Sequence, residues 1–125
     1  MATIMAVDDA KTMRSMVQTI LGHKDHTVIT AEDGVDALKK LTNNDIDMAV
    51  VDFHMPNMNG TTLIRRLRRL PKCKDIPILM LTTESSQFRK DKAREVGANG
   101  WLTKPFDPTT LTKAVETLLA KHGNN

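Results

Sequence analysis

Apolar and polar positions along the chain follow two different periods. Short apolar runs occur at Thr3–Val7, Thr27–Thr30, Met48–Val51, Ile76–Leu81 and Gly100–Thr103. Runs of this kind, with little polar alternation, mark strands covered on both faces. Between them apolar residues recur every three or four positions: Met13, Met16, Val17, Ile20 and Leu21; Ala37, Leu38 and Leu41; Leu63, Ile64, Leu67 and Leu70. A last such series, Leu111, Ala114, Val115, Leu118 and Leu119, closes the chain. This is the spacing of helices with one buried face. Local punctuation agrees. Gly22 stops the first helix, Asp33-Gly34 opens the second, and Pro77 sits at the start of the fourth strand, where a missing N–H is tolerated. Asp107-Pro108 supplies the cap and first-turn proline of the last helix. Ser86–Val96 is expected to be the fourth helix, the least apolar of the set, anchored by Phe88 and Val96. The tail Gly123-Asn124-Asn125 is expected to fray.

Strands alternating with helices predict an α/β domain, a mostly parallel sheet with helices on both faces. At 125 residues the chain holds one core, so residues 1–125 are expected to form one domain. Parallel strands place their C-terminal ends on one edge, where such folds bind ligands. The residues just past each strand therefore matter. The first strand leads into Asp8 and Asp9, the third into Asp52, the fourth into Thr82 and Thr83, and the fifth into Lys104-Pro105. Ala31-Glu32-Asp33, after the second, offers no such obvious role.

Three aspartates brought together repel unless a hard cation sits among them. Mg²⁺ suits a few carboxylate oxygens and keeps positions for phosphate oxygens. A carboxylate beside it can attack phosphorus to give an aspartyl phosphate, a reaction that needs positioning and charge neutralisation above all. On this reading Asp8 and Asp9 hold the metal and Asp52 is both ligand and nucleophile. Lys104 neutralises one phosphoryl oxygen, and Thr82 donates a hydrogen bond to another. A zinc or iron site fits less well, because His54 has no second imidazole beside it.

Composition narrows the classes. Apolar content is 40% and the formal charge is +3, mild for this length, so nucleic acid is not expected as a partner. No apolar stretch is long enough to span a membrane, and acid arrives at Asp8 where a leader's apolar segment would continue. With the lone Cys73, this points to a cytoplasmic protein. Cys73, between Lys72 and Lys74, reads as an incidental thiol in a loop. Arg65, Arg66, Arg68 and Arg69 read as a solvated outer face of the third helix, and Met13, Met16 and Met80 as core fillers.

The chain resembles the receiver domains of two-component response regulators from Ile4 to Leu119. The resemblance rests on Asp8-Asp9, Asp52 in DFHMPNMNG, Thr82 after ILML, and Lys104 in KPF. It implies a flavodoxin-like (βα)5 fold of strand order 2-1-3-4-5. It also implies a histidine kinase's phosphohistidine as donor, Asp52 as acceptor, Mg²⁺ as cofactor and the main-chain carbonyl of His54 as a further metal ligand. The Lys104–Pro105 bond is usually cis in the family. The context AREVGANGWLTKPFDP is similar to that of single-domain chemotaxis regulators of the CheY type, which carry an aromatic residue where Trp101 stands.

In that family the aromatic turns inward as the threonine at the position of Thr82 shifts toward the phosphoryl group. The face made by the fourth helix, fifth strand and fifth helix then binds its target. The implied partners are a CheA-like histidine kinase, a flagellar motor switch protein or other target, and a phosphatase, with the chain itself a monomer. A signalling protein rather than an enzyme in the ordinary sense is implied. A phosphate sink or a phosphorelay receiver would use the same site. An aspartyl-phosphate phosphatase would carry a second aspartate where this chain has His54. Three positions depart from the family pattern. Thr83 replaces a small Ala or Gly and is expected to narrow the site's edge. His54 replaces Asn or Met, either contacting the phosphoryl group or its attacking water or standing exposed without a role. Trp101 is bulkier than the usual Tyr or Phe. Glu84 either edges the site or is an ordinary acid in the first turn of the fourth helix.

Overall fold

A computed structural model of the chain describes residues 1–84 and 86–122. Five strands, β1 (Thr3–Val7), β2 (Thr27–Ala31), β3 (Met48–Asp52), β4 (Ile78–Thr82) and β5 (Gly100–Thr103), form one sheet of order β2-β1-β3-β4-β5. All neighbouring pairs are parallel. The helices are α1 (Lys11–Gly22), α2 (Gly34–Leu41), α3 (Gly60–Arg69), α4 (Gln87–Glu95) and α5 (Pro108–His122), with a 3-10 turn at Pro71–Cys73. The tail expected to fray lies outside the described residues.

The strands lack polar alternation because each feeds two cores. Met5, Val7, Ala49, Val51, Ile78 and Met80 pack with Ala37, Leu63, Ile64, Leu67 and Ala93, on the side of α2, α3 and α4. Their neighbours Ile4, Ala6, Met48, Val50, Leu79 and Leu81 pack with Val17, Leu21, Leu111 and Val115, on the side of α1 and α5. Side chains alternate across a strand, so a strand covered on both faces must be apolar throughout. The starts of α2, α3 and α4 are fixed by side-chain caps: Asp33 accepts from the Asp36 amide, Asn59 from Thr62 and Ser86 from Arg89, whereas Ala10 before α1 offers none.

Several expectations are corrected. β4 begins at Ile78, two residues later than Ile76, and Pro77 precedes it, contributing only a carbonyl that accepts from the Ala49 amide. Met16 is 37% exposed, because Val17 and Leu21 take the inner face of α1 and Met16 is rotated 100° away. Phe88 is 67% exposed and anchors nothing; the inner side of α4 is the small Ala93, which lies about 140° around the helix from Phe88. Cys73 is fully buried in the 3-10 turn rather than incidental to a loop, and burial pushes its thiol pKa up.

Arg68 does not belong to the solvated face. It follows Ile64 by one turn, at the border of the buried stripe. Its guanidinium turns under the end of α3, with Nη1 donating to the carbonyls of Cys73, Lys74 and Ile76 at 3.0, 3.1 and 2.7 Å. Nε and Nη2 donate to the Gly97 carbonyl at 3.1 and 2.7 Å, and Nη2 also reaches Asn99 Oδ1 at 2.8 Å. Gly97 has φ +107, a backbone conformation that favours glycine. One side chain thus joins the end of α3 to the α4–β5 connection.

Candidate functional site

The C-terminal ends of β1, β3, β4 and β5 meet at one edge. Asp52 ends β3 and Asp8 follows β1; both are 3% exposed, whereas Asp9 is exposed. One carboxylate oxygen from each of the three lies within 4.8 Å of the others. Lys104, just past β5, reaches in among them, its Nζ 2.9 Å from Asp52 Oδ1 and 3.2 Å from Asp8 Oδ2. The Lys104–Pro105 bond is cis, and the Lys104 amide donates to the Thr82 carbonyl at 2.7 Å.

Each member is held by its own backbone context. The Asp8 carboxylate accepts from the Ala10 amide at 2.9 Å, and Arg14 donates to the Asp8 carbonyl at 2.7 Å. Beyond Asp52, the Phe53 amide donates to Leu81 O at 2.8 Å, and the Gly60 amide to Phe53 O at 2.9 Å. Gly60 is required by close approach: a Cβ there would lie 2.7 Å from the Asp52 carbonyl oxygen and 2.9 Å from Phe53 Cα. Thr82 is fully buried, and its hydroxyl oxygen accepts from the Glu84 amide at 3.1 Å.

The electrostatics follow from burial and crowding. Burial raises the Asp52 pKa above the usual carboxylate range, and the charges of Asp8 and Asp9 add to the rise, against the opposing pull of Lys104. For Lys104, burial works to lower the pKa, but the hydrogen bond to Asp52 and the charges of Asp8 and Asp52 outweigh it, so the net direction is up. The two shifts are compatible. Lys104 has two anions for company, whereas Asp52 has one cation and two anions. The cluster is short of positive charge.

Asp8, Asp9, Asp52, Thr82 and Lys104, far apart in sequence, are therefore brought to one place. Thr83 is exposed at the rim. The imidazole of the exposed His54 is turned toward Glu84, its Nε2 3.8 Å from Oε2. Glu84 is not a bare first-turn acid: it precedes the Ser86 cap and also pairs with Arg89 Nη2 at 3.0 Å. Trp101 is half-buried, packed against the core on the α2–α4 side; its indole N–H is shielded from solvent without a hydrogen-bond partner among the described residues. Two arginines escaped the sequence reading. Arg14 steadies Asp8, and Arg89 lies over the Phe53 ring, 4.1 Å from its centroid. Neither spacing nor composition marks an arginine whose role is set by the turn of one side chain across two loops.

The chain has close counterparts in sequence and fold. Residues 4–116 match the family model of the response regulator receiver domain, and the chain belongs to that family. Among its relatives is a chemotaxis protein CheY homolog of Campylobacter jejuni, 39% identical over 120 residues, 93% of this chain and 91% of the relative. Chemotaxis protein CheY1 of Helicobacter pylori is 38% identical, over 93% of this chain and 95% of its own. Among solved structures, the Vibrio cholerae chemotaxis protein CheY4 superposes with a TM-score of 0.92 at 42% identity, over 95% of this chain and 99% of that one. The order 2-1-3-4-5 expected for the sheet is thus both observed and shared.

Proposed function

We propose that the protein accepts a phosphoryl group on Asp52 from the phosphohistidine of a histidine kinase, with Mg²⁺, and thereby switches partner binding in chemotaxis. The observation that carries this is the meeting of three carboxylates, a buried hydroxyl and one ammonium at the end of the central strand. An Asp52 carboxylate oxygen attacks phosphorus, the P–N bond breaks, and the imidazole leaves, taking up a proton. Lys104 stays paired with the acceptor and offsets charge developing on the phosphoryl oxygens, and the Thr82 hydroxyl supplies a donor there.

The donor set fits a hard divalent cation: carboxylate oxygens of Asp8, Asp9 and Asp52, with the His54 main-chain carbonyl the fourth protein ligand implied by the family, and no nitrogen or sulfur ligand in the cluster among the described residues. When bound, Mg²⁺ supplies Lewis-acid neutralisation at the phosphoryl oxygens. Three carboxylates beside one ammonium also imply repulsion in the metal-free protein. A hundredfold excess of Mg²⁺ over its Kd is expected to add about 2.7 kcal/mol of stability. Asp9→Asn is expected to stabilise the metal-free protein by about 1 kcal/mol, the scale of one like-charge contact at 4 Å in water, while weakening the Mg²⁺ response. Thermal melts with and without Mg²⁺ check both, and a metal-free Asp9→Asn protein that melts below wild type would contradict a repulsive cluster.

The relatives are chemotaxis proteins, which supports a role in chemotaxis; a flagellar motor switch protein as target and a CheA-like kinase as donor complete the proposal. Beryllofluoride with Mg²⁺ is expected to make the protein retain a motor switch protein from native lysate, and Asp52→Asn to abolish retention. If wild type binds beryllofluoride yet captures no switch protein, motor control gives way to a phosphate sink or phosphorelay receiver, which needs the same site.

A further inference from the structure

The β3–α3 and β4–α4 loops flank Asp52 and are joined by one guanidinium. We infer that Arg89 is a positioning residue for the phosphoryl site, holding the Glu84 carboxylate neutralised against α4 so that it does not oppose an incoming anion. The inference rests on the phosphoacceptor reading above.

Arg89 lies in the first turn of α4, where its amide donates to the Ser86 cap at 3.3 Å. Its guanidinium covers Phe53, the residue after Asp52, at 4.1 Å from the ring centroid. Phe53 is itself a fixed base, 9% exposed and bonded through its backbone to Leu81 and Gly60. From that platform Nη2 donates to Glu84 Oε2 at 3.0 Å. Glu84 is tied to the site from the other side, since its amide donates to the Thr82 hydroxyl. His54 completes the cluster, its ring edge-on to Phe53 at 4.7 Å and its Nε2 3.8 Å from the same Oε2.

An exposed ion pair contributes little by itself. This one differs because stacking fixes the guanidinium before it meets the carboxylate. Arg89 also stands in for apolar anchoring, since α4 buries only Ala93 along its length. Without Arg89 the Glu84 carboxylate would keep only the 3.8 Å approach of His54, two residues from Thr82 and beside a site that takes on a group of nearly two negative charges. Removing this cation therefore has opposite consequences for two ligands of one site: an anion is repelled, whereas a cation is not. A strap that merely stiffened the loops would weaken both together when cut.

The test titrates Mg²⁺ alone, then beryllofluoride at saturating Mg²⁺, following Trp101 emission and ¹⁹F resonances. The proteins are wild type, Arg89→Ala, Arg89→Lys, Glu84→Gln and the double variant Arg89→Ala/Glu84→Gln. Arg89→Ala is expected to raise the half-saturating beryllofluoride concentration about fivefold at low salt, with Mg²⁺ affinity unchanged or tighter. Arg89→Lys should recover part of the loss, and the double variant should match Glu84→Gln alone. Equal weakening of both ligands in Arg89→Ala, an undiminished loss in the double variant, or no loss at all would overturn the assignment while leaving the phosphoacceptor reading intact. A wild-type protein blind to beryllofluoride would take down both.

Discussion

Asp52→Asn is expected to reduce labelling by acetyl phosphate or a phosphorylated kinase to below about 1% of wild type, a loss of more than about 2.7 kcal/mol in transition-state stabilisation. An amide has no anionic oxygen to attack phosphorus, while its shape still lets Lys104 donate to Oδ1, now 2.9 Å away. The fold should survive. The folded-state pKa of Asp52 is raised, so its contribution favours the fold at low pH and is lost as pH rises through that value. Above that value the charged carboxylate is thus a liability in the metal-free protein, and there the Asn variant should melt no lower than wild type. That advantage should shrink as acid protonates Asp52 in wild type. Undiminished labelling at Asp8 or Asp9 in the variant would overturn the assignment of the acceptor.

The second large effect lies away from the site. Arg68→Ala is expected to destabilise the protein by about 3 kcal/mol, since hydrogen bonds to a charged group contribute about 1.5–3 kcal/mol each and some carbonyls will find water instead. The guanidinium serves four carbonyls and the Asn99 side chain, from segments after α3 and after α4. Arg68→Lys should recover less than half, because a compact ammonium cannot span the fork. Urea unfolding measures both. A loss under about 1 kcal/mol would mean that the carbonyls rehydrate freely and that α3 and the α4–β5 connection hold together without the guanidinium.

Why the sequence places Arg68 on the solvated face is instructive. Four arginines within five residues look alike by composition, and only the register of α3, with Ile64 inside, sends one of them inward. Phe88 misled for the opposite reason. An aromatic in a polar helix reads as its anchor, yet the side of α4 that meets the sheet is set by Ala93. Arg89 left no trace because its partners sit on two loops whose approach depends on the whole fold. What could be read was whatever topology enforces. The central strands are covered on both faces and therefore apolar nearly throughout, which made them visible, although the one preceded by Pro77 was drawn too long. The edge strands β2 and β5 showed as shorter runs that mix apolar residues with threonine. Parallel strands must end on one edge, so the grouping of Asp8, Asp9, Asp52, Thr82 and Lys104 could be anticipated from residues up to 96 positions apart. The motifs resembling receiver domains pointed to the family that the comparison over residues 4–116 establishes.

The unpartnered indole N–H of Trp101 bears on how easily the resting state is left. A buried donor without an acceptor disfavours the arrangement that contains it by about 1–3 kcal/mol. Any alternative in which the ring packs equally well and the N–H finds a carbonyl or water starts with that advantage, worth about 5- to 150-fold in population. Moving a two-state protein from 1:99 to 99:1 takes about 5.5 kcal/mol of differential binding. On the switching proposed above, an indole left unsatisfied in this arrangement lowers the threshold, and phosphorylation on the far side of β4 has that much less to supply.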